Sequence, residues 1–598
     1  MKLHLGIFFA AVTCMGAAAA APSTSPQSDR TDTLSYRVYI NPFEVKKLGL
    51  ALREARQNFF PKRIGRAETV DHYGEVAYAV EQLAQRYSIT VESITSAVAQ
   101  SFDASLTLEQ VEALKNDFGV SGVQELGNLP SVYSGTSTTN DTFSGNEVTT
   151  WAKQYVNANQ PVSVANPLFL IDGGLEYYGQ YDINIISQTN AGGSSGAMDH
   201  AGHVAGLIGA RINGSGAVGI NPGQPIKLFG MNYLADVINA LDQAVRNAEN
   251  SDQFAVANVS LNNNPADTAN RFDHSGNRGR ALRAASNRLF ITQSAGNFNT
   301  DACTFAYSYP SSAGKAYRVN DGIMVVGGVN RAGARYTDTY NDFGGTSQDG
   351  SGAPLTFPGP SNRIKLEGGS NSGACVEAWA PAHEITSVVY NFTGGPNHTR
   401  VLTGTSFAAP IVAAIASRYG SISTRPIERE AYIRNSLTST GNYASGLPIN
   451  VVKYTSPSAH DIPKRLNIAT SSSPTNSNNL HVLYDGKFFE PTGIWEANSN
   501  NGSIMFDLGA VKTVVGIRIT VKTVLAPMEF ENYPMGFAIG VGNDPSGIVE
   551  TAYHTEPSQA DNVPVYIDIP TVGARFVRLN ASNQHWPLGF SEVEIYGY

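Results

Sequence analysis

Cysteine is scarce in this chain of 598 residues, with three in all. Cys14 falls in the N-terminal apolar segment, where Thr13 before it suits a lipid-attachment signal poorly. That leaves Cys303 and Cys375, and no Cys/His cluster has the spacing of a zinc site. In an oxidising compartment these two thiols can pair; a pair of buried free thiols is the other reading, and the sequence leaves both open. An excess of basic charge is missing too. The formal net charge is -9 and the pI is near 5.7, whereas a nucleic-acid binder normally carries a basic patch. The small cluster Lys62, Arg63 and Arg66 reads as a solvated face. Long apolar runs are absent as well. Lys2, the stretch Leu5 to Val12 and the small residues Ala17 to Ala21 form a cleaved secretory signal over residues 1–21, too short to span a bilayer. Nothing later is long and apolar enough for a membrane helix, so a secreted protein with no membrane span and no nucleic-acid partner is expected.

At this length several domains are expected, and 58 glycines imply many tight turns. Residues 36–127 read as a small α+β unit. Tyr36 to Ile40 alternates like a strand, Val76 to Gln100 carries apolar residues at helical spacing, and Thr107 with Gln110 forms a capping-box pair. Residues 128–150 are rich in Ser, Thr, Asn and Gly, which predicts an exposed linker. From Trp151 to about residue 455, apolar runs (Leu168 to Ile171, Phe254 to Leu261, Leu289 to Thr292, Ile323 to Val326) alternate with helical stretches. That pattern predicts a doubly wound α/β domain with a buried parallel sheet. Beyond a polar passage at 455–480, short β-branched strands at 503–507, 514–522, 563–569 and 575–580 predict an all-β jelly-roll sandwich over 460–598.

Four residues of the middle domain are candidates for chemistry. Ser406, in Gly404-Thr405-Ser406-Phe407-Ala408-Ala409-Pro410, opens an apolar helical run, where small neighbours leave a hydroxyl accessible and the helix N-terminus favours nearby negative charge. A serine hydroxyl is a weak nucleophile and needs a base. His200, in His200-Ala201-Gly202-His203, supplies one, and Asp172, at the carboxyl end of the strand Leu168 to Ile171, can orient it. Asn297, after Ala295 and Gly296, offers an amide donor to an oxyanion.

Each signal taken alone has an ordinary structural explanation, but their order along the chain is Asp, His, Asn, Ser, and the triad order Asp…His…Ser is that of subtilisin. Over residues 151 to about 440 the chain resembles the subtilisin-like serine proteases (subtilases). The resemblance implies Ser406 as nucleophile, His200 as general base and acid, Asp172 as its orienting carboxylate, Asn297 as oxyanion donor and His203 as structural. It also implies that Ser260 and Leu261, with Ala295 and Gly296, line the substrate cleft. Tyr309-Pro310-Ser311 and Trp379-Ala380-Pro381 follow the family order. Gly173 stands where the family usually has Ser or Thr, Ala201-Gly202 where it has Gly-Thr, and Asn262-Asn263 where many members have two glycines. The last of these adds side chains beside the cleft.

Residues 36–127 resemble the subtilisin propeptide family, through Leu106 to Leu114 and Val120 to Glu125. That implies an intramolecular inhibitor and chaperone, released by cleavage between residues 126 and 150. Residues 460–598 resemble discoidin, or coagulation-factor type C, domains of the galactose-binding-like fold, through Asn467-Ile468-Ala469, Leu483 to Gly486, Ile504 to Gly509, Arg575 to Leu579 and Gly589 to Gly597. Members often bind sugars through loops, which makes Trp495, Phe530, Tyr533, His585 and Trp586 candidate glycan contacts, with core packing as the other reading of each aromatic. Asp485 and Glu594 are candidates for the structural Ca²⁺ common in this fold. The expectation is a secreted serine endopeptidase, made as a zymogen, acting on polypeptides without a cofactor for its chemistry and held near glycans. The rival is a glycan-binding adhesin with an inactive protease domain.

Overall fold

The computed structural model describes residues 34–598 apart from 49–71, 126–141 and shorter stretches, the longest of them 263–271, 309–319, 357–363 and 522–534. The signal segment, the cluster at Lys62, Arg63 and Arg66, most of the expected linker, Asn263, Tyr309-Pro310-Ser311, Phe530, Tyr533, His585 and Trp586 lie outside the described residues.

The N-terminal domain is a four-stranded antiparallel sheet in the order β2-β3-β1-β4, formed by β1 (Leu34–Ile40), β2 (Val91–Thr95), β3 (Ser101–Leu106) and β4 (Val120–Glu125). Helices α1 (His72–Tyr87) and α2 (Leu108–Lys115) contribute Val76, Ala79, Leu83 and Leu114 to a core shared with Val38 and Phe102. The helix expected over Val76 to Gln100 stops at Tyr87, because Ser88 takes a left-handed conformation (φ 52°) and the chain returns as β2. At the start of α2 the capping box forms as the residues predict. The Gln110 N–H donates to Thr107 Oγ1 at 3.2 Å, and the Thr107 N–H donates to Gln110 Oε1 at 3.0 Å.

Alternation along one strand sets the layers of the middle domain. In β6 (Leu168–Gly173), Leu168 and Leu170 face one apolar cluster while Phe169 and Ile171 face another. The first cluster holds α3 (Ser195–Gly209) and α6 (Thr405–Ser417), the second α4 (Val237–Asn250) and α5 (Asn277–Ala285). Between them lies a nine-stranded sheet in the order β14-β15-β13-β12-β11-β10-β6-β9-β7. Its strands are β7 (Asn184–Thr189), β9 (Pro225–Met231), β10 (Ala255–Val259), β11 (Leu289–Ser294), β12 (Ile323–Val329), β13 (Ala378–Pro381), β14 (Leu437–Ala444) and β15 (Leu447–Val452), with β6. All neighbours are parallel except the β14–β15 hairpin. One expectation needs correcting here. Residues 146–149 are not linker but a strand, β5 (Asn146–Thr149), paired in parallel with β8 (Ser215–Val218), and the buried Glu147 accepts from the N–H groups of Asn213 and Gly214.

Cys303 and Cys375, 72 residues apart, form a disulfide. It joins two segments that also pair at Phe298–Gly369 and Asp301–Ser372, immediately beyond Asn297.

The C-terminal domain is built on β16 (Asn501–Val521), β17 (Met535–Gly542), β18 (Val549–Glu556), β19 (Val563–Ser582) and β20 (Gly589–Gly597). The segments expected as separate strands at 503–507 and 514–522 are two halves of β16, and those at 563–569 and 575–580 two halves of β19. Register shifts between Asp507 and Lys512 and at Val514–Gly516 bend the pair, so Ile504 and Phe506 from one half share a core with Ile517 and Ile519 from the other.

Candidate active site

Strand alternation places Asp172 on the Leu168/Leu170 side of the sheet, the side on which α3 packs. There Asp172 Oδ1 lies 2.8 Å from His200 Nδ1 and accepts from the Gly173 N–H at 2.7 Å. Both side chains are buried. Among the described residues the buried Asp172 Oδ2 has no hydrogen-bond partner, and Gly173 has no hydroxyl to offer it. One turn along α3, His203 Nε2 donates to the Ile385 carbonyl at 3.0 Å. The Phe407 ring packs against both histidines, with centroids 5.8 Å from His200 and 4.4 Å from His203.

Helix α6 runs through the domain core, and every residue of it except Ser406 is buried. Proline at 410 has no N–H to close the helical bond back to Ser406, so the Ser406 carbonyl is left for another donor. Ser260, just past the end of β10, fills that place: its Oγ donates to the Ser406 carbonyl at 2.7 Å. The Ser406 hydroxyl in turn donates to the Ser260 carbonyl at 3.2 Å. The nucleophile candidate is thus held at the strand end expected to line the cleft.

Asn297 lies beside it, where β11 has turned through Gly296. That glycine is at φ +101°, and a Cβ there would sit 2.4 Å from Asn371 Nδ2, so a side chain is excluded by conformation and by space. Asn371 braces the turn, donating through Nδ2 to the Ala295 carbonyl and accepting through Oδ1 from the Phe298 and Thr300 N–H groups. Asn297 Oδ1 accepts from the Thr405 N–H at 2.8 Å, from Thr405 Oγ1 at 2.9 Å and from the Tyr336 hydroxyl at 2.6 Å. A backbone N–H can only donate, so the amide orientation is determined and Nδ2 is turned towards Gly404, where an added Cβ would lie 3.3 Å away. Across the cleft, Asn262 Nδ2 donates to the Ser294 carbonyl and Asn262 Oδ1 accepts from Ser294 Oγ at 2.9 Å. Gln293 Nε2 donates to the Leu261 carbonyl at 3.2 Å. The ends of β10 and β11, carrying Ser260, Leu261, Ala295 and Gly296, are therefore tied together beside Ser406. Such a cluster can generate a serine nucleophile and hold a developing oxyanion.

Sequence reading missed Tyr336, Thr405 and Asn371 as supports. Thr405 stood inside the serine motif; the other two lie in stretches without a motif.

Two expectations for the C-terminal domain are corrected. Trp495 is fully buried, stacked on Phe590 with centroids 5.8 Å apart, and its Nε1 donates to the Asn476 carbonyl, so it is a core residue and not a glycan contact. Glu594 is ringed by Arg518, Arg425 and Arg465 and is no calcium ligand; those three cations hold its carboxyl below the ordinary value in spite of burial. Asp485 is exposed and accepts from the Lys487 N–H. Among the described residues no group of three or more His, Cys, Asp or Glu is placed to hold a metal ion.

Residues 170–448 match the model of the subtilase family, and this stretch is a subtilase-family domain. Alkaline serine exoprotease A of Vibrio alginolyticus is 24% identical over 368 residues, covering 59% of this chain and 58% of that protein. Alkaline extracellular protease of Yarrowia lipolytica is 31% identical over 159 residues, covering 26% of this chain and 27% of that one. The chain thus spans 58% and 27% of the length of these two relatives. A solved structure titled "CBM32 of AlyQ in complex with 4,5-unsaturated mannuronic acid" is 24% identical, covers 22% of this chain and 97% of that one, and has a TM-score of 0.19.

Proposed function

We propose that this protein is a secreted serine endopeptidase, made with its N-terminal domain as a propeptide. The observation that supports it most is the fixed amide of Asn297 bonded to Thr405 beside the partly exposed Ser406, with the neighbouring Phe407 ring packed on the His200 of a buried Asp172–His200 pair, all in a subtilase-family domain. In this reaction Ser406 Oγ leaves the Ser260 carbonyl and gives its proton to His200 Nε2 as it attacks the peptide carbonyl. Asp172 holds the other ring nitrogen and favours the imidazolium that forms. Asn297 Nδ2 and the Ser406 N–H receive the oxyanion. His200 then protonates the leaving amine, and water releases the acyl group by the reverse path.

Residues 146–149 belong to the catalytic domain, so we place the maturation cut between 126 and 141. Secretion is supported by the N-terminal signal segment. A glycan role for the C-terminal domain rests on its sequence resemblance, and retention of the full-length Ser406→Ala chain on immobilised polysaccharides tests it.

The deciding experiment is labelling of the secreted protein with a fluorophosphonate probe, with intact masses of wild type and Ser406→Ala. Wild type is expected to label at Ser406 and to have lost the N-terminal domain, while the variant stays unlabelled and full length. A folded wild type that neither labels nor shortens sinks the peptidase reading.

A further inference from the structure

Tyr336 lies seven residues beyond the end of β12 and is 2% exposed. Its N–H bonds to the Gly328 carbonyl at 3.4 Å and its carbonyl accepts from the Ser370 N–H at 3.0 Å. Room for the ring is made at Gly328, where a Cβ would sit 2.4 Å from Tyr336 Cε1. The hydroxyl ends 2.6 Å from Asn297 Oδ1. Burial raises this phenol well above its ordinary value, so it stays protonated and able to donate.

We propose that Tyr336 is a positioning residue for the oxyanion donor: its hydroxyl, with the two Thr405 groups, loads Asn297 Oδ1 and thereby aims and polarises Nδ2. A carbonyl oxygen has two lone-pair directions, and three donors converge on this one. Turning the amide over would set NH₂ against the Thr405 N–H, so the opposite edge must face the cleft. Donors on the oxygen also draw charge from the nitrogen, which makes its N–H a better donor. Tyr336 touches no substrate and acts only through Asn297. This inference rests on the proposed reading of Ser406 and Asn297.

The test is kcat and KM on one peptide substrate for matured Asn297→Ala, Tyr336→Phe and the double variant. Alongside it runs the affinity of each for a peptide boronate, whose tetrahedral oxygen imitates the oxyanion. Asn297→Ala is expected to lower kcat about 100-fold. Tyr336→Phe, which keeps the ring, should lower kcat roughly fivefold to tenfold, the worth of one net hydrogen bond. It should leave KM in place and weaken the boronate by the same factor. The double variant should be no slower than Asn297→Ala. Wild-type kcat and boronate affinity in Tyr336→Phe, or a multiplied loss in the double variant, overturn the inference. An unchanged kcat in Asn297→Ala overturns the oxyanion reading beneath it. Should Tyr336→Phe not mature, Thr405→Val tests the same loading, because it removes another donor to Oδ1 and carries the same kinetic expectation.

Discussion

The subtilase-family domain is gripped on two sides by different chemistry. Against the N-terminal domain, the contact rests on helix α4. Asp242 Oδ1 accepts from the N–H groups of Ser96 and Ala97, and Asn239 Nδ2 donates to Ser93 Oγ at 2.8 Å and to Asp103 Oδ2 at 2.5 Å. Asp103 is itself clamped by Arg37 within its own domain. Among the described residues, Ala97 and Ala99 carry the apolar share of this contact into the core of the subtilase-family domain. Against the C-terminal domain, Glu594 binds Arg425 of the catalytic domain as well as its own Arg518, and Arg518 also donates to Ser286. Arg283 donates to the Pro564 carbonyl, Thr520 to Asn287, and Phe488, Tyr566 and Tyr596 join the catalytic domain's apolar cluster. At the first contact the carboxylates of Asp242 and Asp103 meet neutral donors of the other domain, with no opposite charge bonded to them across it by the bonds named here, so the first contact is the better suited to release. A buried charge network with large aromatics around it tolerates no lost member. The C-terminal domain is therefore bound tightly to the subtilase-family domain, and tethered-module behaviour is not expected of it.

Breaking the second contact should give the largest effect. Arg518→Met, made in the Ser406→Ala chain to prevent self-digestion, strands the Glu594 carboxylate with one fewer cation, and loss of one member of a buried pair costs about 3–5 kcal/mol. Thermal unfolding and limited proteolysis at the 455–480 passage should both report it, as a lower midpoint and faster cutting there. An unchanged midpoint would show that Arg518 is not needed to hold the two domains together.

How far these features were legible depends on how local they are. Asp172, His200, Asn297 and Ser406 each stand in a short run of glycine and small residues, because a hydroxyl or amide at a strand-to-helix junction needs room, and that need is written in neighbouring letters. The interdomain contact leaves no such mark. Arg518 and Glu594 alternate with Ile517, Ile519, Val593 and Ile595, a pattern that a strand with one wet face also produces. Nothing in that alternation says that Arg425 will cover it. Tyr336 was illegible for the same reason, since its partner is 39 residues away. Trp495 misled for the opposite reason: an aromatic in a polar, glycine-bearing stretch reads equally as ligand platform or core, and only its stacking on Phe590 decides.

The first contact should yield more gently. Asp242→Ala removes an acceptor shared by two backbone N–H groups, and bonds to a charged acceptor are worth about 1.5–3 kcal/mol. If the N-terminal domain is the propeptide, the variant should mature normally but lose it about 10- to 100-fold more readily. The measurement is the time for peptidase activity to appear after the maturation cut. An unchanged delay would move the grip elsewhere, to the described alanines or beyond.

The smallest effect should come from protons at the second contact. Glu592 donates nothing when ionised; its oxygens accept from Arg465 at 3.0 Å and from the Gly486 N–H at 2.9 Å. Burial first, and then the charge of Glu594, push its carboxyl up to about 8. A folded value above the ordinary one of 4.5 means that the native protein holds this proton more tightly than the unfolded chain. Its contribution to stability is complete below the ordinary value and is lost as pH rises through about 8. Because Glu592 and Glu594 share Arg425 and Arg465 and titrate as a pair, the change belongs to the pair and not to Glu592 alone. The melting temperature of the Ser406→Ala chain should accordingly drift down from pH 5 to pH 8, and Glu592→Gln, which cannot ionise, should flatten that drift. A drift that survives in Glu592→Gln would place the titrating group outside this contact and remove pH from the difference between the two sides.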